Sequence, residues 1–265
     1  MLQQLSPLLR GASGDLASWL HTPERARIKL CLLTILLGFG VYGLTVGLWR
    51  SPLMGVFVSL KMPGLIFLTI LCNGLLNGML GAVLGSGLGF RQSLAAQLLS
   101  FSIAAVVLAS LTPVTYFLTT NAPSSGDINA STTHTYFLIG HTFLIAFAGI
   151  LANLHLAKIL IATVPNRRVA ALTLISWLLG NAFVGAQLSW ILRPFYGTPS
   201  IEVAFLRDHP FDGTFYEVVW RSLEQIFQGY QLLVLLIAMT ILLWLHTPVI
   251  RLFTLQKNNQ QSAKP

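Results

Sequence analysis

Eight polar side chains sit inside otherwise apolar stretches of this sequence, and any buried chemistry would have to be built from them: Asn73, Asn77, Gln97, His141, Asn153, His155, Asn181 and Gln187. All are neutral amides or imidazoles. None is an acid, and an acid within a membrane span is the usual mark of proton or cation coupling. A carboxamide carries two donors and an acceptor, so these groups suit hydrogen bonds across a helix contact or to a neutral or anionic solute. Asn73 and Asn77 are four apart and share a helix face, with Gly74, Gly78 and Gly81 interleaved. Small residues let backbones approach in lipid while an amide bonds across the contact. Packing is the reading this composition favours, and a polar seam for solute passage is the alternative. Gly43 and Gly47 form a further G-x-x-x-G pair, a weak motif that glycine-rich spans produce by chance.

The histidines invite a metal reading and then exclude it. His134, His141 and His155 recur at multiples of seven, close to one stripe of a helix, but seven helical residues rise about 10 Å. Three such residues cannot gather around one ion, and no H-E-x-x-H or C-x-x-C supports them. Ser189, Ser200 and Ser222 lack a G-x-S-x-G context. Gly85-Ser86-Gly87-Leu88-Gly89 looks like a nucleotide loop only superficially, because no strand precedes it. It reads instead as a tight turn at the membrane edge. The sequence implies no cofactor, metal or catalytic group.

The elements that position these residues are membrane helices. Only 9% of the 265 residues are charged and 54% are hydrophobic, with mean hydropathy +0.72, against about 25% charged in a soluble domain. The fold class is therefore all-α, a polytopic integral membrane bundle. A bilayer core needs roughly 20 apolar residues per helix, and six stretches qualify: Ile28 to Trp49, Gly64 to Leu84, Ser93 to Leu118, Tyr136 to Ile161, Val169 to Leu192 and Phe227 to Leu245. Five spans are the alternative. Residues 1–27 form an N-terminal interfacial segment, 28–246 the bundle, and 247–265 a tail. Thr22, Pro23 and Glu24 read as the start of the first helix. Cys31 and Cys72 lie in apolar runs, where a thiol behaves as a small hydrophobe.

The connections carry expectations of their own. Leu53 to Leu60 is too short to cross a bilayer and is flanked by Trp49, Arg50 and Lys61, which favour the interface. It reads as an in-plane or re-entrant segment ahead of the second span. Residues 119 to 135 are small and polar and read as a flexible loop. Lysine and arginine counts give eleven on the side of the termini and five on the other, which places both termini in the cytoplasm. The net charge of +8 follows from that bias and forms no continuous patch, so nucleic acid is not an expected partner. The expected partners are the lipid bilayer and a membrane protein or a second copy of the chain.

Residues 193 to 224 differ from the other connections. Arg193-Pro194-Phe195-Tyr196-Gly197-Thr198-Pro199 reads as a stiff turn, and Phe205, Phe211, Phe215, Tyr216 and Trp220 follow it among five acids and three arginines. Thr214 and Glu217 match a capping box, and Glu217 and Arg221 are spaced for an ion pair on one helix. Aromatic residues and arginines dominate interaction hot spots. Arg193, Phe195, Tyr196, Phe211, Tyr216, Glu217 and Trp220 are therefore candidate recognition residues, with anchoring at the headgroups as the plainer alternative.

Trp49-Arg50-Ser51-Pro52, Lys61-Met62-Pro63, the N-G-x-x-N-G at Asn73 to Gly78, Phe90-Arg91-Gln92 and Ser110-Leu111-Thr112-Pro113 together resemble the pattern of bacterial polytopic membrane proteins grouped with the Yip1 family. The stretch covers about a quarter of the chain. The resemblance implies a compact helical bundle with a cytoplasmic N-terminus, placed in the bacterial inner membrane. It further implies a non-enzymatic role in membrane organisation with protein partners. The sixth span and the aromatic outer loop depart from that pattern, and no binding residue is carried over.

Overall fold

A lipid environment offers the backbone no hydrogen-bond partners, so spanning segments satisfy every peptide group internally. The computed structural model describes Trp19, residues 25 to 128, 130 to 196 and 202 to 227, and isolated positions between 230 and 240. Its elements are all helices: α1 (Arg25–Leu48), α2 (Pro52–Val83), α3 (Phe90–Asn121), α4 (Ala130–Thr163), α5 (Arg167–Ile191) and α6 (Phe215–Phe227). Each of the first five is long and apolar enough to cross a membrane. Leu71, Val83 and Phe143 are among the large apolar side chains left exposed on them, as expected of surfaces solvated by acyl chains. The sixth expected span, the helix start at Thr22 to Glu24 and the tail lie largely or wholly outside the described residues.

The chain crosses back and forth. Antiparallel crossings place the α1–α2 turn, residues 122–128 and the described residues between α5 and α6 on one side, here the loop face. Arg25, residues 84–89 and residues 164–166 lie on the opposite, short-turn face. Helix α1 packs on α2 and α3, α2 on α3 and α5, α3 on α4, and α4 on α5, while α6 rests on α5.

The expected in-plane segment before the second span does not exist. Leu53 to Leu60 is instead the beginning of α2, a continuous helix of 32 residues. Ser51 starts it: the side chain accepts from Met54 N at 3.1 Å, with Pro52 at the first helical position. Pro63 lies within the helix. A proline there removes one hydrogen bond, to the carbonyl four residues earlier, which is that of Ser59. A neighbouring helix makes such a loss tolerable in a membrane, and the backbone of α1 packs here: a Cβ at Gly40 would lie 3.4 Å from Ser59 O. Lys61 thus belongs to a span, about 14 Å along α2 from Pro52.

Residues 119 to 135 are likewise more regular than their composition indicates. Helix α3 runs to Asn121 and α4 starts at Ala130. Thr120 and Thr135 donate to carbonyls one turn back in their own helices, so small polar residues extend both helices beyond the apolar core. The short connection is tied down: Trp49 Nε1 donates to Pro123 O at 2.9 Å, and Arg50 Nη1 to Ser125 Oγ at 3.5 Å.

The G-x-x-x-G pair proves to be a tight seam between α1 and α2. A Cβ on Gly47 would lie 2.5 Å from Met54 O, and one on Gly43 2.7 Å from Val58 O. Gly38 does the same toward α3, 2.6 Å from Ala105 O. The short-turn connection between α2 and α3 is equally compact, with Gly85 and Gly87 both at φ +72°, a conformation that glycine adopts at little cost.

Candidate functional site

The polar residues of the spans separate into distinct places rather than one continuous seam. Asn73, Asn77 and Asn181 form the first. Asn73 Nδ2 donates to Asn181 Oδ1 at 3.0 Å and Asn77 Nδ2 to the same oxygen at 3.4 Å. This ties α2 to α5, and Trp177 Nε1 adds a bond of 2.8 Å to the carbonyl of Asn77. Gly180 keeps the helices close, since a Cβ there would lie 3.4 Å from Asn77 Oδ1. Gly74, Gly78 and Gly81 admit neighbours at 3.4, 2.8 and 3.1 Å: Leu94 and Phe90 of α3, and Ser86 of the turn before it.

Several polar atoms at this level have no partner among the described residues. Asn73 Oδ1, Asn77 Oδ1, Ser93 Oγ, Thr173 Oγ1 and both ends of the Gln97 carboxamide are buried and unbonded. Gln97 follows Ser93 by one turn of α3, and Ser93 faces Gly81, so the antiparallel register sets Gln97 toward the Asn77 level of α2.

The remaining amides belong elsewhere. Asn153 donates to Gly149 O of its own helix at 2.8 Å, and His155 Nδ1 lies 2.8 Å from Leu151 O. Among the described residues neither bonds to another helix. Gln187 works at the loop face, where its Oε1 accepts from Phe215 N at 3.1 Å and so caps the start of α6.

His141 is part of an aromatic assembly near the loop face. Its Nδ1 and the Tyr42 hydroxyl share a hydrogen bond of 2.8 Å, and its ring stacks on Phe137 at 5.8 Å. Tyr196, from the segment after α5, lies 5.8 Å from the same imidazole and 6.5 Å from His134. Trp49 closes the stack against Phe137 at 5.5 Å. The seven-residue spacing of the histidines thus marks a face that packs aromatic rings, and no cluster of metal-ligating side chains occurs among the described residues. On the lipid side of this stack, Leu118, Tyr136, Phe137 and His141 help line an apolar groove of about 740 Å³ between α3 and α4.

The segment after α5 is fastened onto these helices. Lys61, only 2% exposed, donates from Nζ to Pro194 O at 2.7 Å. Its ammonium lies over Phe205 at 5.0 Å and Phe195 at 5.9 Å, and Phe205 meets Phe57 edge-on. Burial pushes the Tyr196 hydroxyl up to about 12, partly offset by a hydrogen bond with Thr142. Gly197 to Ile201, which include part of the expected stiff turn, lie outside the described residues.

Trp190, Arg193 and Arg207 form a second fastening. The Arg193 guanidinium stacks over the Trp190 ring at 3.0 Å and that of Arg207 lies 5.1 Å from the same ring. Arg193 Nε donates to Trp190 O at 3.0 Å, and Arg207 Nη2 to Pro210 O and Asp212 O at 3.1 and 2.5 Å. Trp190 Nε1 reaches Gly213 O at 3.1 Å. Burial, and then the neighbouring charge of Arg207, lower the pKa of Arg193.

The candidate recognition residues therefore divide. Arg193, Phe195 and Tyr196 are half-buried against the bundle. Tyr216 stacks on Phe183 at 4.6 Å and its hydroxyl donates to Phe183 O, so it docks α6 on α5. Phe211 is 79% exposed, and Trp220 is exposed too. Glu217 N donates to Thr214 Oγ1 at 3.1 Å, while the Glu217 carboxylate pairs with Arg221 at 2.6 Å. Sequence reasoning missed Lys61, Tyr42, Trp177, Trp190 and Arg207. The signal for Lys61 was present: residues 53 to 83 hold no other charge.

No family model, curated protein or solved structure matches this chain.

Proposed function

We propose that this chain is a non-enzymatic membrane-organising or interaction protein of the bacterial cytoplasmic membrane, of Yip1-like type, whose recognition surface is the loop face. The observation that carries this reading is the fixing of the segment after α5 at both ends. Lys61 holds Pro194 and Gln187 holds Phe215, while Phe211 and Trp220 remain exposed between and beyond these points. A pre-organised segment loses little freedom on binding, and exposed aromatic residues are effective anchors. The mutual bonding of Asn73, Asn77 and Asn181 supports a packing role for the amides.

A photo-crosslinking residue at Phe211 in native membranes tests this reading. The expected product is one specific protein or a second copy of the chain, and Phe211→Ala should abolish co-purification of that species without changing thermal stability. Labelling of lipid alone would overturn it.

A second reading, a channel or permease for a neutral or anionic small solute, draws support from the unbonded Gln97 carboxamide and its neighbours. Solute entry into proteoliposomes that disappears in Gln97→Leu would replace the first reading with this one.

A further inference from the structure

Two guanidinium groups on one indole ring require an explanation, because like charges brought together in a partly desolvated place repel. Arg193 and Arg207 both lie within 5.1 Å of the Trp190 ring centre. The ring face offers each a cation–π contact, but it does not neutralise them. The three acids of the segment, Glu202, Asp208 and Asp212, make no ion pair with either arginine, since Asp212 offers Arg207 only its backbone carbonyl. The acid that follows them, Glu217, pairs with Arg221 instead.

Donor capacity is left over as well. Arg207 Nε is buried without a partner. Arg193 uses only Nε, so its two terminal nitrogens have no partner among the described residues. Lys61 adds a third cation beside this segment through its bond to Pro194 O, and it too lacks a carboxylate. The two terminal nitrogens of Arg193 thus form a fork of free N–H groups, the geometry that receives a tetrahedral oxyanion bidentately. The depth agrees with this, since Arg193 directly follows the end of a span, where lipid phosphates reside.

We propose that Arg193 and Arg207, held on Trp190, form a binding site for a phosphate-class oxyanion at the loop face. The site is independent of the Phe211 surface: its occupant is an anion rather than a protein. Loss of one activity therefore leaves the other measurable. The oxyanion has two sources, a lipid headgroup and the free anion, and both are tested on the full chain purified in neutral detergent.

The first arm compares thermal stability in inorganic phosphate and in chloride at equal ionic strength. The second compares retention of phosphatidic acid with that of diacylglycerol, which has the same tails without the phosphate, by native mass spectrometry. Stabilisation by phosphate assigns the free anion, and preferential retention of phosphatidic acid assigns the headgroup. In either case Arg193→Gln and Arg207→Gln should each weaken binding roughly tenfold. Absence of both effects in the unaltered chain overturns the proposal, whatever the variants do. So does undiminished binding in a double variant that retains the unaltered chain's melting temperature.

Discussion

The ammonium of Lys61 donates to the carbonyl of Pro194 at 2.7 Å, joining residues 133 positions apart. A hydrogen bond to a charged group contributes about 1.5 to 3 kcal/mol, and here it fixes the path of the chain leaving α5. Lys61→Met should lower stability by an amount in that range. It should also make the segment around Arg207 more accessible to protease while the spans stay inserted. Unchanged proteolysis would mean that Tyr196 and Trp190 hold the segment without Lys61.

Close backbone contact at Gly47 gives a sharper packing test than the glycines of α2. A methyl group at Gly47 meets the backbone of Met54, which cannot rotate away. Gly78 faces the side chain of Phe90, which is half-exposed and can move. Gly47→Ala should therefore cost about 1 to 3 kcal/mol, typical of overpacking. Gly78→Leu should also harm assembly, and more than Leu75→Ile does, because Leu75 is exposed. Equal melting temperatures for Gly47→Ala and Leu75→Ile in detergent would contradict the seam.

Much of this was legible in the sequence, and the failures have physical causes. The five described spans follow from apolar length alone, and the Thr214 to Arg221 start of α6 follows from helix-end chemistry. The in-plane reading rests on Lys61 as a local interface signal, with Pro63 two residues beyond it. Both are tolerated within α2 because α1 and the segment after α5 supply what they need. The Gly43 and Gly47 seam could not be told from chance, since the partner of a small residue is a tertiary fact. Asn181 lies more than a hundred positions from Asn73, and no spacing rule connects them. The same holds for the two arginines that share Trp190.

At the loop face, Tyr216 and Phe211 should behave oppositely. Tyr216→Ala removes a ring stack and a hydrogen bond, together about 2 kcal/mol, and should loosen α6 from α5. Phe211→Ala should leave stability unchanged. A matched loss in both would show that Phe211 also packs.

Tyr196 gives a pH signature. Its hydroxyl is raised from 10.0 to about 12 in the folded protein, so the unfolded chain ionises first. The stabilisation is complete below pH 10 and is lost as pH rises toward 12. The size is about 2 to 3 kcal/mol. Stability of the unaltered protein should fall more steeply across this window than that of Tyr196→Phe. Parallel profiles would place the Tyr196 hydroxyl in water.

Orientation is testable with single cysteines at Gln4, Ser125 and Ser262, after replacement of Cys31 and Cys72. With both termini cytoplasmic, Ser125→Cys should react only from the opposite side. Reaction of that position from the cytoplasm would invert the scheme.

The alternation of the five described helices has a consequence of parity. An odd number of crossings leaves Arg25 and Ile191 in different compartments. The chain up to Phe227 is therefore a vector, with its basic beginning on one side and its aromatic platform on the other. One more crossing beyond Phe227 would return Arg251, Lys257 and Lys264 to the compartment of Arg25 and Arg27. The reactivity of position 262 relative to position 4 thus counts crossings modulo two, and does so whichever way the bundle is inserted.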